Sequence, residues 1–438
     1  MSKTFGVIWI LLMAWQVQSQ NDWSVHFLTD LIQSGNNNPA QVPQGLHIAL
    51  PGGYVQLHSM PELSKAYVRE NGQNRLLLSR LTDQLTGDFK AQAQYQLEPL
   101  MISYLKNKLS YGVHYQQTGE LIVSTNSSAF RLLTQGNALQ VGDTIPLSGT
   151  LKSQVYQKLG FSVGYHIPYF SIAVRLNLLN GAHYLSSSQI AGQLYTDTDG
   201  YATYLNTDLV LRHAGDLVNY DPAANEYTLD YQSAFFPKPS NNWGASIDIG
   251  TKLYLSRIFY IAASAKNLGR IFWRSGAERW TNHQERTYNG VRIDPPFGSN
   301  SIDFPDVTDS LRQWTSWNVE NRTFQSGTSP VIQLSMHYTI DEHLKFGLMY
   351  VREYEEKTNI PLFGAYFSAK VGNAIELGTL YSTKNDQWLN LGFHTILYLG
   401  PVQVFAITDN ALDFLTTDPW HNFHFRGGIN LRFDYENP

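Results

Sequence analysis

The chain has 438 residues, no cysteine and a formal net charge of −5, which excludes disulfide stapling and gives no reason to expect nucleic acid. Charged residues make up 15%, against about 25% in an ordinary soluble domain, while aromatic residues reach 13% with 26 Tyr. Beyond the N-terminus no segment approaches the roughly 18 apolar residues of a membrane helix, and the best, Ile167 to Val174, contains Pro168, so a helical membrane protein is excluded.

Lys3, the apolar run Phe5 to Trp15 and Val17-Gln18-Ser19 have the three zones of a secretory signal peptide, which predicts cleavage between Ser19 and Gln20 and removal of 1–19. Residues 20–44 follow as a polar stretch ending near Asn38-Pro39-Ala40 and are read as an N-terminal plug or hatch. From 45 to 438 the reading is a transmembrane β-barrel. A first strand is expected at 45–58. Segment 62–87 has helical character, with Leu76, Leu77, Leu78, Leu81 and Leu85 interleaved with Arg75, Arg80 and Asp83, and a short helix is expected at 128–135.

The main signal is two-residue alternation sustained over about ten residues, the length a tilted strand needs to cross a bilayer. In 329–341, Ile332, Leu334, Met336, Tyr338 and Ile340 share one face and Gln333, Ser335, His337 and Thr339 the other. In 421–433, Phe423, Phe425, Ile429, Leu431 and Phe433 oppose Asn422, His424, Arg426, Asn430 and Arg432. Strands are predicted in pairs at 93–106/109–125, 152–166/169–183, 242–256/257–268, 329–341/344–353, 360–370/373–383 and 386–398/400–408, with a last strand at 421–433. Short turns alternate with longer links at 126–151, 181–241, 268–328 and 409–420, the parity of periplasmic turns and extracellular loops. With 45–58 the count becomes even, giving an all-β, closed antiparallel barrel of about fourteen strands. The link 181–241 carries its own hairpin signal, 188–197 and 201–213, placed above the membrane.

Asn38-Pro39-Ala40 before the first strand resembles the N-terminal hatch of long-chain fatty-acid transporter-type barrels, which implies fourteen strands plugged from the N-terminus. Taken with Asn242-Trp243-Gly244-Ala245-Ser246-Ile247-Asp248-Ile249-Gly250, Asn267-Leu268-Gly269-Arg270-Ile271-Phe272-Trp273, Thr408-Asp409-Asn410 and Arg426-Gly427-Gly428-Ile429-Asn430-Leu431-Arg432-Phe433, the mature chain resembles a large uncharacterised family of outer-membrane proteins in Bacteroidota. That resemblance implies the barrel, the outer membrane and the organism class, and no activity. Accessory barrels of the type IX secretion and gliding machinery have a similar architecture, and nothing in the residues singles out that machinery.

Gly160-Phe161-Ser162-Val163-Gly164 matches the G-x-S-x-G of serine hydrolases, but the motif needs a strand-to-helix elbow, and here it lies inside an alternating strand, so Ser162 is expected to face the lumen. No H-E-x-x-H or paired His at metal-ligand spacing is present, and His394, His421 and His424 read as lumen or interface residues. No catalytic residue, metal or cofactor is expected. Lys158, Arg175, Asp248, Lys252, His424, Arg426 and Arg432 are assigned to the lumen, where they either line a pore or pair with the plug; a cation on the lipid face would cost roughly 2–4 kcal/mol near the midplane. Trp273, Trp280, Trp314 and Trp317 are assigned to an extracellular loop, as a loop core, a girdle or a surface for a partner. The expected function is a plugged, non-enzymatic channel or transporter for a hydrophobic or small ligand, in contact with outer-membrane lipid. The alternatives are an accessory barrel docking a protein of a secretion or surface complex, and an outer-membrane hydrolase.

Overall fold

The computed structural model describes residues 23–61, 66–70, 73–77, 79–85, 87–200, 202–288, 316–341, 343–355, 358–384, 387–411 and 422–433. The expected leader, 1–19, the start of the 20–44 segment and Trp314 lie outside them.

In chain order, β1 (Gly45–Ala49) and β2 (Gly52–Met60) form one wall strand, broken at Leu50 and Pro51, where proline cannot donate to a ladder. The hairpin β3 (Tyr67–Glu70) and β4 (Gln73–Leu76) and the one-turn helix α1 (Ser79–Thr82) follow. Next come β5 (Phe89–Lys106), β6 (Leu109–Thr125), α2 (Ser127–Gln135), β7 (Thr144–Ile167) and β8 (Phe170–Thr196). The outer part adds β9 (Thr203–Gly215), the hairpin β10 (Val218–Asp221) and β11 (Glu226–Leu229), and α3 (Tyr231–Phe235). The wall resumes with β12 (Trp243–Tyr254) and β13 (Phe259–Trp273), and then β14 (Glu278–Tyr288), β15 (Asn318–Asn321) and β16 (Phe324–Gly327) rise beyond it. Six strands of the wall follow in succession: β17 (Val331–Ile340), β18 (Leu344–Glu355), β19 (Thr358–Val371), β20 (Ile375–Lys384), β21 (Gln387–Leu399) and β22 (Val402–Thr408). The last is β23 (Asn422–Phe433).

Every neighbour in the wall is antiparallel, and the ring closes because β1 and β2 pair with β5 on one side and β23 on the other. Among the described residues this is a closed fourteen-stranded barrel, with the strands where the alternation predicts them. The wall inverts the burial of a soluble protein. On β17, Gln333, Ser335 and His337 are buried while Leu334, Met336 and Tyr338 are at least 40% exposed. Phe161, Leu176, Leu348 and Phe363 carry the same exposed apolar face around the barrel. An outer face this apolar is stable against hydrocarbon rather than water.

Two elements differ from expectation. Segment 62–87 is not one helix: β3 and β4 pair Glu70 with Gln73, and among its described residues α-helix is confined to α1. The two residues between them in sequence, Asn71-Gly72, are a strong hairpin signal that outweighs the leucine spacing. The link at 181–241 carries the expected hairpin, as the end of β8 with β9, whereas the link at 268–328 is in good part sheet among its described residues. β8 runs on to Thr196, pairs there with β9, β9 pairs with β14, and β14 with β15, forming a sheet that stands above the wall. The helix expected at 128–135 is α2, capped by the Asn126 side chain accepting from the Ala129 N–H.

Candidate functional site

Residues 23–44 lie inside the barrel and touch almost every side of it. Trp23, Val25, Phe27, Leu28 and Leu31 pack on inward-facing apolar residues of the late strands, including Val351, Leu380 and Ile396. Phe27 stacks on Tyr366 at 4.5 Å and fills the space opposite Gly347, where a Cβ would strike its ring. The polar groups bond to the wall. The Trp23 N–H donates to Asp409 Oδ2 at 2.6 Å, the Ser24 hydroxyl donates to the same carboxylate, and Gln33 and Asn430 exchange amide bonds at 2.8 and 3.0 Å. Asp30 pairs with Lys345 at 3.1 Å, and Lys345 also holds Glu376 at 3.2 Å.

Asn38 is the anchor on the opposite wall. Its Nδ2 donates to the carbonyls of Thr251 and Ala263, 3.2 and 3.3 Å away on β12 and β13, and its Oδ1 accepts from the Ala40 N–H at 2.9 Å. Gly250 makes room, since a Cβ there would overlap Asn38 Oδ1 and crowd Pro39. Asn38, Pro39 and Ala40 therefore act together as a turn seated against β12.

Of the charges assigned to the lumen, Arg175 and Asp248 are brought together, 3.7 Å apart and both buried. Arg175 also donates to the Gly35 carbonyl at 2.6 Å. Asp248 accepts from the Asn267 N–H at 2.7 Å and from Asn177 at 3.0 Å, and Lys158 reaches Asn267 Oδ1 at 3.5 Å. Across the lumen Arg426 donates to Glu98 and to Gln96, each at 3.0 Å, and His424 Nδ1 accepts from the Asp409 N–H at 2.8 Å. Lys252 and Arg432 sit apart at the short-turn end. Lys252 lies between the Tyr254 and Tyr260 rings, and Arg432 lies over Tyr398 and donates to the Gly400 carbonyl. Glu98, Asp30 and Glu376 escaped the sequence reading, and Asp409 entered it only within Thr408-Asp409-Asn410, with no role. Glu98 was within reach of it, because Gln92, Gln94 and Gln96 lead to it on the polar face.

Outside the N-terminal segment lies a narrow polar chamber of about 50 Å³. Gln96, Glu120, Gln154, Lys158, Lys266 and Glu353 are among its lining. Lys266 joins chamber to segment, since its Nζ donates to Asn37 Oδ1 at 2.6 Å. The chamber wall includes an interruption of the ladder. β13 pairs with β17 as far as Lys266 and Val331 and resumes with β16 at Arg270 and Gly327. Between these rows Asn267 and Ser329 both have positive φ, 58° and 49°, and Thr328 Oγ1 donates to the Asn267 carbonyl at 2.7 Å. Asn tolerates that conformation; for Ser it is uncommon. On the β12 side the register slips between Ile247 and Ile249, and Asp248 holds the slip through its bond to Asn267.

Of the four tryptophans assigned to a loop, the three described, Trp273, Trp280 and Trp317, are held in the outer sheet. Trp273 ends β13, is fully buried beside Tyr184 and Phe324, and donates from Nε1 to Ser326 Oγ at 2.9 Å. Trp280 lies on β14, stacked on His213 at 4.6 Å, with Trp317 at 6.2 Å. Trp317 in turn donates to the Tyr227 hydroxyl at 2.6 Å. These residues form the core of the outer sheet, where burial holds His213 below its ordinary value and pushes Tyr227 up to about 12.

Ser162 is a mid-strand residue of β7, paired with Arg175 of β8 and Gly112 of β6, with no elbow. His394 is buried against Tyr366, and His421 lies outside the described residues. Among the described residues no group of three or more His, Asp or Glu is placed to hold a metal ion.

The profile of a family of unknown function, DUF5723, matches residues 39–409. None of the curated proteins compared with the chain matches it. Solved structures similar to it include the CymD monoaromatic hydrocarbon channel, with 10% identity, 93% of this chain and 94% of that one covered, and a TM-score of 0.35. A deltaS2S3 mutant of the TodX monoaromatic hydrocarbon channel overlaps with 8% identity, 95% and 94% coverage and a TM-score of 0.43. A Pseudomonas aeruginosa FadL homologue overlaps with 10% identity, 95% and 96% coverage and a TM-score of 0.42.

Proposed function

Since the chain belongs to the DUF5723 family, whose function is unknown, we propose from its geometry that it is an outer-membrane channel or transporter whose lumen is plugged by its N-terminal segment. One observation carries this reading: residues 23–44 fill the lumen beneath a polar chamber, and the wall of that chamber contains the interrupted ladder at 267–269 and 328–330. A belt of exposed apolar side chains on a closed sheet supports membrane insertion. The resemblance to Bacteroidota barrels supports the outer membrane.

Of a hydrophobic and a small hydrogen-bonding ligand, the chamber favours the second. Glu120 and Glu353 balance Lys158 and Lys266, and amide and hydroxyl side chains supply most of the remaining lining. Passage requires the segment to shift, and the bonds at Asn37, Asn38 and Gly35 are those that must break. Trp273 and Trp280 are buried and so are not themselves a docking surface.

The test is uptake of small neutral solutes into liposomes carrying the protein with and without residues 20–44. The deletion is expected to raise the rate severalfold. An unaltered rate in a barrel that still shows heat-modifiable migration would rule out a gating plug.

A further inference from the structure

On the outer surface of the sheet above the wall, a cleft of about 1060 Å³, its open mouth included, is lined by Arg212, Arg279, Arg322, Thr323, Gln325 and Ser188. Arg212 of β9 and Arg279 of β14 stand directly opposite each other across the ladder. Like charges in that relation are destabilising unless something negative lies between them. Glu278, which also borders the cleft, has its carboxylate engaged elsewhere: Oε2 accepts from Trp280 Nε1 at 2.7 Å and lies 3.4 Å from His213 Nδ1. Glu320 faces Arg279 from β15, yet among the described residues no carboxylate lies within 4.0 Å of Arg212, Arg279 or Arg322.

The position of the cleft identifies the missing anion. Leu268 and Phe272 on β13 and Trp243 on β12 are exposed on the lipid-facing side, 37%, 44% and 47% respectively, and mark the upper edge of the apolar belt. Arg270, between Leu268 and Phe272, donates to Gln325 of the cleft at 3.3 Å, and Arg274 lies 5.8 Å from the Phe272 ring. The arginines thus begin where the aromatic girdle ends, at headgroup height. A guanidinium fork matches the oxygens of a phosphate, and two or three forks around one cleft fit a phosphate monoester better than a single carboxylate.

Resting on the membrane reading above, we infer that this cleft binds the phosphate group of an outer-leaflet glycolipid, with Arg212, Arg279 and Arg322 as its ligands.

Native mass spectrometry of the detergent-solubilised barrel tests this with lipid A, dephosphorylated lipid A and inorganic phosphate as probes. Lipid A is expected to stay bound under conditions that strip its dephosphorylated form. The triple variant Arg212→Gln/Arg279→Gln/Arg322→Gln is expected to bind lipid A at least about tenfold more weakly. Arg322→Gln alone, on an exposed connection that leaves the β9–β14 ladder intact, is expected to lose part of it. Equal retention of both lipid forms overturns the inference, and so does a triple variant that binds as the parent does. Displacement of lipid A by equimolar inorganic phosphate would assign the cleft to a soluble anion and overturn the lipid as its occupant. Loss of heat-modifiable migration in the parent chain would instead refute the membrane barrel itself, so the two failures are distinguishable.

Discussion

Arg175 shows how a charge is kept inside the wall. It has Asp248 3.7 Å away and the Gly35 carbonyl at 2.6 Å, so one guanidinium ties β8 to β12 and to the N-terminal segment. Arg175→Met leaves Asp248 buried without its cation, and a loss of about 3–5 kcal/mol is expected. The urea midpoint of the folded barrel in lipid vesicles measures it. Arg175→Lys keeps an ion pair but not the reach to Gly35, and should recover part of the loss. At His213 the effect is one of pH. The buried ring is held neutral, while the unfolded chain takes up a proton below about pH 6.5, so the stability it contributes is present above that value and lost as pH falls. The protection factors of β9 and β14 amides, taken relative to intrinsic exchange at each pH, should therefore fall from about pH 7 to about pH 5, and His213→Phe should flatten the change. That Lys158, Arg175, Asp248 and Arg426 face inward was legible, because a period of two assigns faces without knowledge of partners. Their partners were not legible: Gly35 is 140 residues from Arg175, and Glu98 is 328 from Arg426.

The N-terminal segment holds to β12 and β13 through Asn37 and Asn38, and Asn38 reaches both strands. Asn38→Ala removes three hydrogen bonds, each worth about 1 kcal/mol net, and leaves two wall carbonyls without that donor. Protease is expected to cut within 23–44 at least severalfold faster in this variant while the barrel still migrates as folded. Unchanged cleavage would show that Asn38 does not hold the segment. The outer sheet depends in the same way on Trp280, which packs on His213, Tyr220 and Trp317. Trp280→Ala is expected to cost about 3–5 kcal/mol, localised as faster amide exchange in β9, β14 and β15 with β17 to β22 unaffected. At this scale the sequence was a mixed guide. Wall strands declare themselves by length and alternation. Short elements such as β3, β4 and α1 do not, since five leucines spaced at one, three and four residues suit a helix face until a two-residue Asn-Gly connection is noticed. The tryptophans were legible as aromatic mass but not as a core, because the strands that enclose them come from both outer links and meet only in space.

Across the whole molecule the apolar belt makes the most direct demand. Leu348, 58% exposed near the middle of β18, lies on the outer face, and Leu348→Arg should cost roughly 2–4 kcal/mol of folding stability in a bilayer. Equilibrium refolding into vesicles reads this. A change below about 1 kcal/mol would argue that this face does not meet hydrocarbon. The count of fourteen was legible because closure is a global constraint that each strand obeys. The break at 267–269 and 328–330 was not, as it arises from two unrelated backbone conformations meeting across one ladder. The seat of the N-terminal segment also sets an order of events in assembly. Gln33 finds its amide partner in Asn430, 397 residues later, and Trp23 finds its acceptor in Asp409, 386 residues later. These partners stand beside the seam where β1 meets β23. The N-terminal segment therefore has no complete place to rest until the last strand has paired with the first, and its settling reports that the ring has closed.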